Sequence, residues 1–213
     1  MAFDITSHVS MAGRCTSVVI TGAGHSLLDD PGDGCYLDRE LARLGADANR
    51  MIIDVNGYVT RFRRWHLAAL SNLKIMVALD LVEPMTTGPF EDVLWSFLAM
   101  DNAWVVCRGN GWGVPNVIVI RAVKTEAEYE AATDATLGIM TGCAALCCVP
   151  AHVRDIDMIG FDSIYGGRKH IKTFEYHVMM NPQTFVMPVI EYFRRQARRI
   201  VIHPPRGFEG PLR

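Results

Sequence analysis

Apolar residues along this chain come in short runs that break at a glycine, an asparagine or a carboxylate. The first run, "SVVITGAG" at 17–24, is β-branched and reads as a buried strand ending in a glycine turn. "RMIIDVNG" reads as a second strand with a polar end, and "LKIMVALD" as a third that runs into a carboxylate. "AWVVCRG" and "NVIVIRA" read as strands either side of "NGWGVP"; "DIDMIGFD" is another, again ending in an acid, and "RIVIHPP" is the last. Helical spacing fills the intervals. "DRELARLGA" predicts a short helix closed by Gly45, and a second helix is predicted from about Tyr58 to Leu70. "PFEDVLWSFLAMDN" places a proline at the first helical position. The stretch from Thr125 to about Val149 begins as an acidic helix and turns small and apolar, and "NPQTFVMPVIEYFRRQAR" reads as a last helix that Pro188 would kink.

Strands alternating with helices predict a mostly parallel sheet covered on both faces, a Rossmann-like three-layer α/β/α fold. No repeat, low-complexity segment or linker interrupts it, so residues 1–213 read as a single domain with its core at about 17–205. In such a sheet the carboxyl ends of the strands share one edge, where ligands bind. The polar strand ends Gly22–Ser26, Asn56, Asp80 and Gly160–Asp162 would therefore converge.

Each of these groups has a functional and a structural reading. Gly22 and Gly24 would let backbone N–H groups approach a phosphate or ribose, with Ser26 capping the next segment; a bare strand-to-loop corner is the alternative. The third glycine of the dinucleotide fingerprint is absent. Asn56 could bind a base or phosphate, or simply form an Asn-Gly turn, and strand periodicity puts it on the face of Asp54. Asp80 could touch a ligand or cap its loop. Thr141 and Gly142 lie where a helix begins or packs closely against a ligand layer. In "MIGFDSIYGGRKH", Gly160 permits close backbone approach, Asp162 can bind a ribose or amine, and Tyr165 can stack or donate a hydrogen bond. Lys169 and His170 could neutralise a phosphate or accept a proton, and His177 adds a second imidazole. No third ligand for a metal accompanies the two histidines.

Charge and cysteine content narrow the picture only a little. The formal net charge of −2 gives no overall footprint for nucleic acid, but Arg194, Arg195, Arg198, Arg199 and Arg206 cluster near the end of the chain. Such a cluster is a solvated helix face or a local patch for phosphate or an acidic partner. Six cysteines without zinc-like spacing suggest reduced thiols and a cytoplasmic setting. The sequence carries no signal-peptide pattern and no apolar window of the roughly 18 residues that would suggest a membrane span.

The ordered set "VVITGAGHSL", "IIDVNGY", "VALD", "GIMTGCAAL" and "IDMIGFDSIYGGRKH" resembles the 6-hydroxymethylpterin diphosphokinase-like family, which includes motility-associated flagellin glycosyltransferases. It is similar also to the bacterial CMP-sialic-acid transferases of related fold. The resemblance spans roughly residues 17 to 205. It implies nucleotide contact at Gly22, Gly24, Ser26 and Asn56, with Thr141-Gly142 matching the small turn at the cytidine nucleotide and Gly160-Phe161-Asp162 matching a Gly-x-Asp strand end. It further implies metal-independent transfer, with Tyr165 stabilising the departing phosphate and His170 deprotonating the acceptor. The interval from Asp162 to His170 is short for that family, so His177 competes for the role, and His25 stands where the family's turn usually has proline.

The expectation is a glycosyltransferase that takes a nucleotide-sugar donor. Its acceptor would be a protein, a glycan or a modified base in DNA, the last held through Arg194, Arg195, Arg198 and Arg199. The alternatives are an ATP-dependent pterin or nucleoside diphosphokinase, with Mg²⁺ held by Asp80 and Asp162, and a non-catalytic nucleotide-binding module.

Overall fold

The apolar runs form seven strands: Ser17–Thr21 (β1), Arg50–Val55 (β2), Lys74–Ala78 (β3), Ala103–Arg108 (β4), Val117–Ile120 (β5), Asp155–Ile159 (β6) and Arg199–Ile202 (β7). They belong to a computed structural model that describes residues 4–28, 35–78, 89–108, 113–120, 141–162 and 190–204, residues 192 and 197 excepted. The helices are Tyr36–Ala46 (α1), Tyr58–Ala68 (α2), Pro89–Leu98 (α3) and Thr141–Cys147 (α4), with further helical residues at 190–191 and 193–195.

All seven strands lie in one sheet of order β5-β4-β3-β2-β1-β6-β7, and every neighbouring pair is parallel. Side chains alternate across a strand, so each apolar run feeds two cores. On one face Val19, Ile52, Met76 and Val105 pack with Leu37, Leu41 and Leu44 of α1, Leu67 of α2 and Phe97 of α3. On the other, Ile20, Ile53, Ile75 and Ile156 pack with Ala144, Ala145 and Leu146 of α4, and with Ile190 and Phe193. This is the expected α/β/α layering.

Strands β1 to β5 step outward in sequence order, and β6 then appears on the far side of β1. The direction of winding therefore reverses between β1 and β6, the kind of point at whose carboxyl ends open parallel sheets bind ligands. The opposite, amino edge is tied off. There the buried Lys74 ammonium donates to the carbonyls of Leu70, Asn72 and Asp101, at 2.6, 3.1 and 3.0 Å. Burial lowers its pKa to about 8.

Two predicted helix ends move. Gly45 does not close α1: the helix continues to Ala46 and stops at Asp47, whose extended backbone (φ −132°) turns its N–H back to the carbonyls of Arg43 and Leu44. Glycine is disfavoured in a helix but not excluded from one, and it took the extended residue beyond to end it. The second helix ends at Ala68 rather than Leu70. The predicted acidic start of the helix after Thr125, and the kink at Pro188, lie outside the described residues.

Candidate functional site at the carboxyl edge

The strand order places the ends of β3, β2, β1 and β6 side by side, and among the described residues Gly22–Ser26, Asn56 and Gly160–Asp162 share that edge. At the reversal point the loops after β1 and β6 run along each other. The Gly22 N–H donates to the Ile159 carbonyl at 2.8 Å, and the Gly24 N–H to the Gly160 carbonyl at 2.6 Å, which extends the parallel ladder past both strands. Asp162 then caps the 3₁₀ turn His25–Leu28: its carboxylate accepts the Ser26 N–H at 2.9 Å and the Ser26 hydroxyl. Ser26 and Asp162 are both buried.

This contact accounts for the glycines. A Cβ on Gly24 would lie 2.5 Å from the Asp162 carboxyl carbon and 2.6 Å from the Gly160 oxygen, and one on Gly22 would also strike that oxygen. Gly160 itself takes a left-handed φ of +73°, beneath Leu27. Gly142, near the start of α4, is brought in by the same logic, since a Cβ there would come 2.8 Å from the Phe161 ring. Thus Gly22, Gly24, Ser26, Gly142, Gly160 and Asp162 form one cluster, and the N–H groups of Gly22, Gly24 and Ser26 are spent within it. Thr141 opens α4 at the same place.

One strand away, Asn56 and Gly57 take consecutive left-handed conformations (φ 58° and 71°) between β2 and α2. Asn56 is half-buried, and its N–H donates to the Val77 carbonyl at 2.9 Å. Asp54 is fully buried just before this turn. It accepts from the N–H groups of Val59 and Thr60 at 3.1 and 2.9 Å and from the Thr60 hydroxyl at 2.8 Å, so it caps α2 from inside the sheet. Burial pushes its pKa up to about 6, against the pull of the hydrogen bonds from Thr60, Val59 and Thr21.

On the other side of β6, the structure supplies a group that sequence reasoning missed. His203 follows β7, and its N–H continues the ladder to the Met158 carbonyl at 2.8 Å, so it sits at the carboxyl edge. Its Nε2 lies 3.0 Å from Asp157 Oδ1. Asp157 Oδ2 accepts from Arg50 at 2.8 Å, and the same guanidinium nitrogen reaches Glu40 of α1 at 2.8 Å. Burial alone would raise the Asp157 pKa, but the hydrogen bonds from His203 and Arg50 outweigh it and hold the carboxyl well below its ordinary range. The buried chain Glu40–Arg50–Asp157 thus surfaces at His203, whose ring stands 6.2 Å from that of Tyr36 at the start of α1. "RIVIHPP" carried the signal, because His203 is one more polar residue directly after a strand.

The arginine cluster does not form one cationic face. Arg198 is buried over the Phe193 ring and donates to the Val149 carbonyl, while Arg194 pairs with Glu191 and Arg199 with Asp155. Arg195 is exposed. Asp80, Tyr165, Lys169, His170, His177 and Arg206 lie outside the described residues. For the magnesium-dependent alternative, each oxygen of Asp162 accepts one hydrogen bond from Ser26, so an ion there would share the carboxylate with the cap.

A groove of about 340 Å³ lies between α2 and α3, lined by Thr60, Arg61, Arg64, Asp92, Val93 and Ser96, and it borders the end of β2, where Thr60 bonds to Asp54. No helix among the described residues is long and apolar enough to cross a membrane. Cys15, Cys35, Cys107, Cys147 and Cys148 are free thiols, and burial raises the pKa of Cys15 and Cys107 to about 11, which suits packing rather than nucleophilic chemistry. Comparisons with protein-family models, with curated proteins and with solved structures returned no match.

Proposed function

We propose that the chain is a glycosyltransferase that holds the nucleotide of a nucleotide-sugar donor in the crevice at the β1/β6 reversal. The observation that carries the reading is the position of the glycine-rich turn, Asn56 and Gly142 around a topological switch point, where parallel α/β sheets bind nucleotides. Within that reading, Gly22, Gly24, Ser26, Gly160 and Asp162 shape the crevice, while Asn56 and the start of α4 at Thr141-Gly142 face the donor; Asp80 follows the neighbouring strand. The transfer step rests on the family resemblance. It needs a group to stabilise the departing phosphate, for which the resemblance offers Tyr165, and a base for the acceptor hydroxyl, for which it offers His170 or His177. The acceptor is a protein or a glycan in preference to DNA, because of the four arginines that would hold a DNA backbone Arg198 is buried, Arg194 and Arg199 are paired with acids, and Arg195 is left exposed.

A thermal-shift series with CMP, UDP, GDP, ATP and their sugar conjugates, with and without Mg²⁺, tests this directly. A nucleotide-sugar at a hundred times its Kd should stabilise the fold by about 2.7 kcal/mol. Metal-independent stabilisation by a pyrimidine nucleotide supports the reading. Stabilisation by ATP only with Mg²⁺ favours the diphosphokinase, and binding without turnover of any donor favours a silent nucleotide-binding module.

A further inference from the structure

We propose that His203 is the proton acceptor of the carboxyl-edge site, held in its working orientation by Asp157, with Arg50 and Glu40 as the positioning residues behind it. The assignment begins with hydrogen-bond chemistry. Asp157 accepts from Arg50 through one oxygen and faces His203 Nε2 at 3.0 Å through the other. An ionised carboxylate can only accept, so Nε2 must carry a proton, and in the neutral ring the lone pair is confined to Nδ1. Among the described residues Nδ1 has no hydrogen-bond partner. The ring is about a quarter exposed, whereas Asp157, Arg50 and Glu40 are buried.

Placement supports the same role. His203 follows β7 and stands level with the end of β6, one strand from the β1/β6 reversal and on the sheet face that carries α1. The groups facing it from neighbouring elements are Asp157 of β6, with Arg50 of β2 behind it, and Tyr36 of α1, whose ring also lies under Arg39. With Arg43 on Glu40, the charges of Glu40, Arg50 and Asp157 balance without the imidazole. His203 brings that buried chain to the edge where the donor is placed.

The step rests on the nucleotide-sugar reading; the orientation of the imidazole does not. In it His203 takes the place of His170 or His177 as the base: the acceptor hydroxyl gives its proton to His203 Nδ1 while its oxygen bonds to the anomeric carbon. The bond from that carbon to the phosphate oxygen breaks, and both electrons leave on the nucleotide. General-base assistance of this kind contributes roughly 10²- to 10⁴-fold.

Two measurements decide it. Long-range ¹⁵N–¹H NMR of the histidine rings in the full chain should give His203 as the Nε2–H tautomer; a bare Nε2 facing Asp157 would overturn the dyad. Donor consumption is then compared between wild type, His203→Gln and His203→Ala. His203→Gln should bind the donor within about twofold of wild type but lose roughly a hundredfold or more in kcat, and free imidazole should restore part of the activity of His203→Ala. Turnover of His203→Gln within threefold of wild type overturns the assignment even if wild type is an active transferase. Should wild type consume no nucleotide-sugar, the functional reading and the transfer step fall together, and the ring tautomer still decides the dyad.

Discussion

Strand β6 has two neighbours, and its carboxyl end meets them by different physics. Toward β1 the contact is backbone against backbone: Gly22 and Gly24 hydrogen-bond to the main chain at Ile159 and Gly160, and Ser26 takes up both oxygens of Asp162. Toward β7 the contact is charge against charge, a buried Glu40–Arg50–Asp157 chain that ends in a partly exposed imidazole. The first side is complete in itself. The second ends in an imidazole about a quarter exposed. A glycine-rich turn after a strand therefore need not be the group that touches a ligand, since here its N–H groups are spent on the main chain after β6 and on Asp162.

Substitutions should separate the two sides. The largest effect is expected at Arg50. Arg50→Met takes from Glu40 and Asp157 the buried cation they share, leaving them with Arg43 and His203 at the surface, and breaking a buried ion pair costs about 3–5 kcal/mol. Denaturant unfolding should register that loss, and a cost below 1 kcal/mol would mean the charged side is not structurally coupled. Gly24→Ala tests the other side. Its Cβ would meet Asp162 and Gly160 at 2.5 and 2.6 Å, and main-chain atoms cannot move aside as a flexible side chain can. We expect a loss of about 3 kcal/mol, at the upper end of overpacking, while the His203 tautomer stays as in wild type. Asp162→Ala removes only the cap on Ser26 and should cost about 1–2 kcal/mol.

The smallest and most specific effect is in pH. Two buried carboxylates on the same side of the sheet differ in partners: Asp54 has amides and hydroxyls, Asp157 has cations. The folded pKa of Asp54 is raised to about 6, so its contribution is fully present below the ordinary value of 3.8 and is lost as pH rises through about 6. The Asp157 pKa is depressed, so its contribution is present above 3.8 and is lost as pH falls toward its folded value. The stability difference between wild type and Asp54→Asn should therefore shift against wild type from pH 4 to pH 6. A flat difference across that interval would remove Asp54 as a titrating group.

Much of the fold was legible because parallel strands buried on both faces are mainly apolar, as at Met51–Ile53 of β2 and Ile75–Ala78 of β3, and because polar residues gather where such strands end. Gly22, Asn56 and Gly160 could be placed at strand ends on that ground alone. That β1 lies between β2 and β6 could not be read, since hydrophobic periodicity carries no information on which strands pair. The bond from Ser26 to Asp162 spans 136 residues and was hidden for the same reason. His203 was overlooked because a histidine before two prolines reads as the start of a loop, and its meaning depends on Asp157, which local pattern marks only as a polar residue inside a strand. The arginine run misled in the opposite way. Adjacent charges suggested one face, yet Arg198 lies under the surface and Arg199 begins a strand.

The most direct measurement of the central claim is a backbone amide NMR titration of the full chain with CMP, UDP and their sugar conjugates. The account predicts shifts concentrated at Asn56, Gly142, Phe161 and His203, around the ends of β2, β1, β6 and β7. Shifts confined instead to Arg61, Arg64, Asp92 and Ser96 would place the ligand in the groove between α2 and α3 and contradict the account.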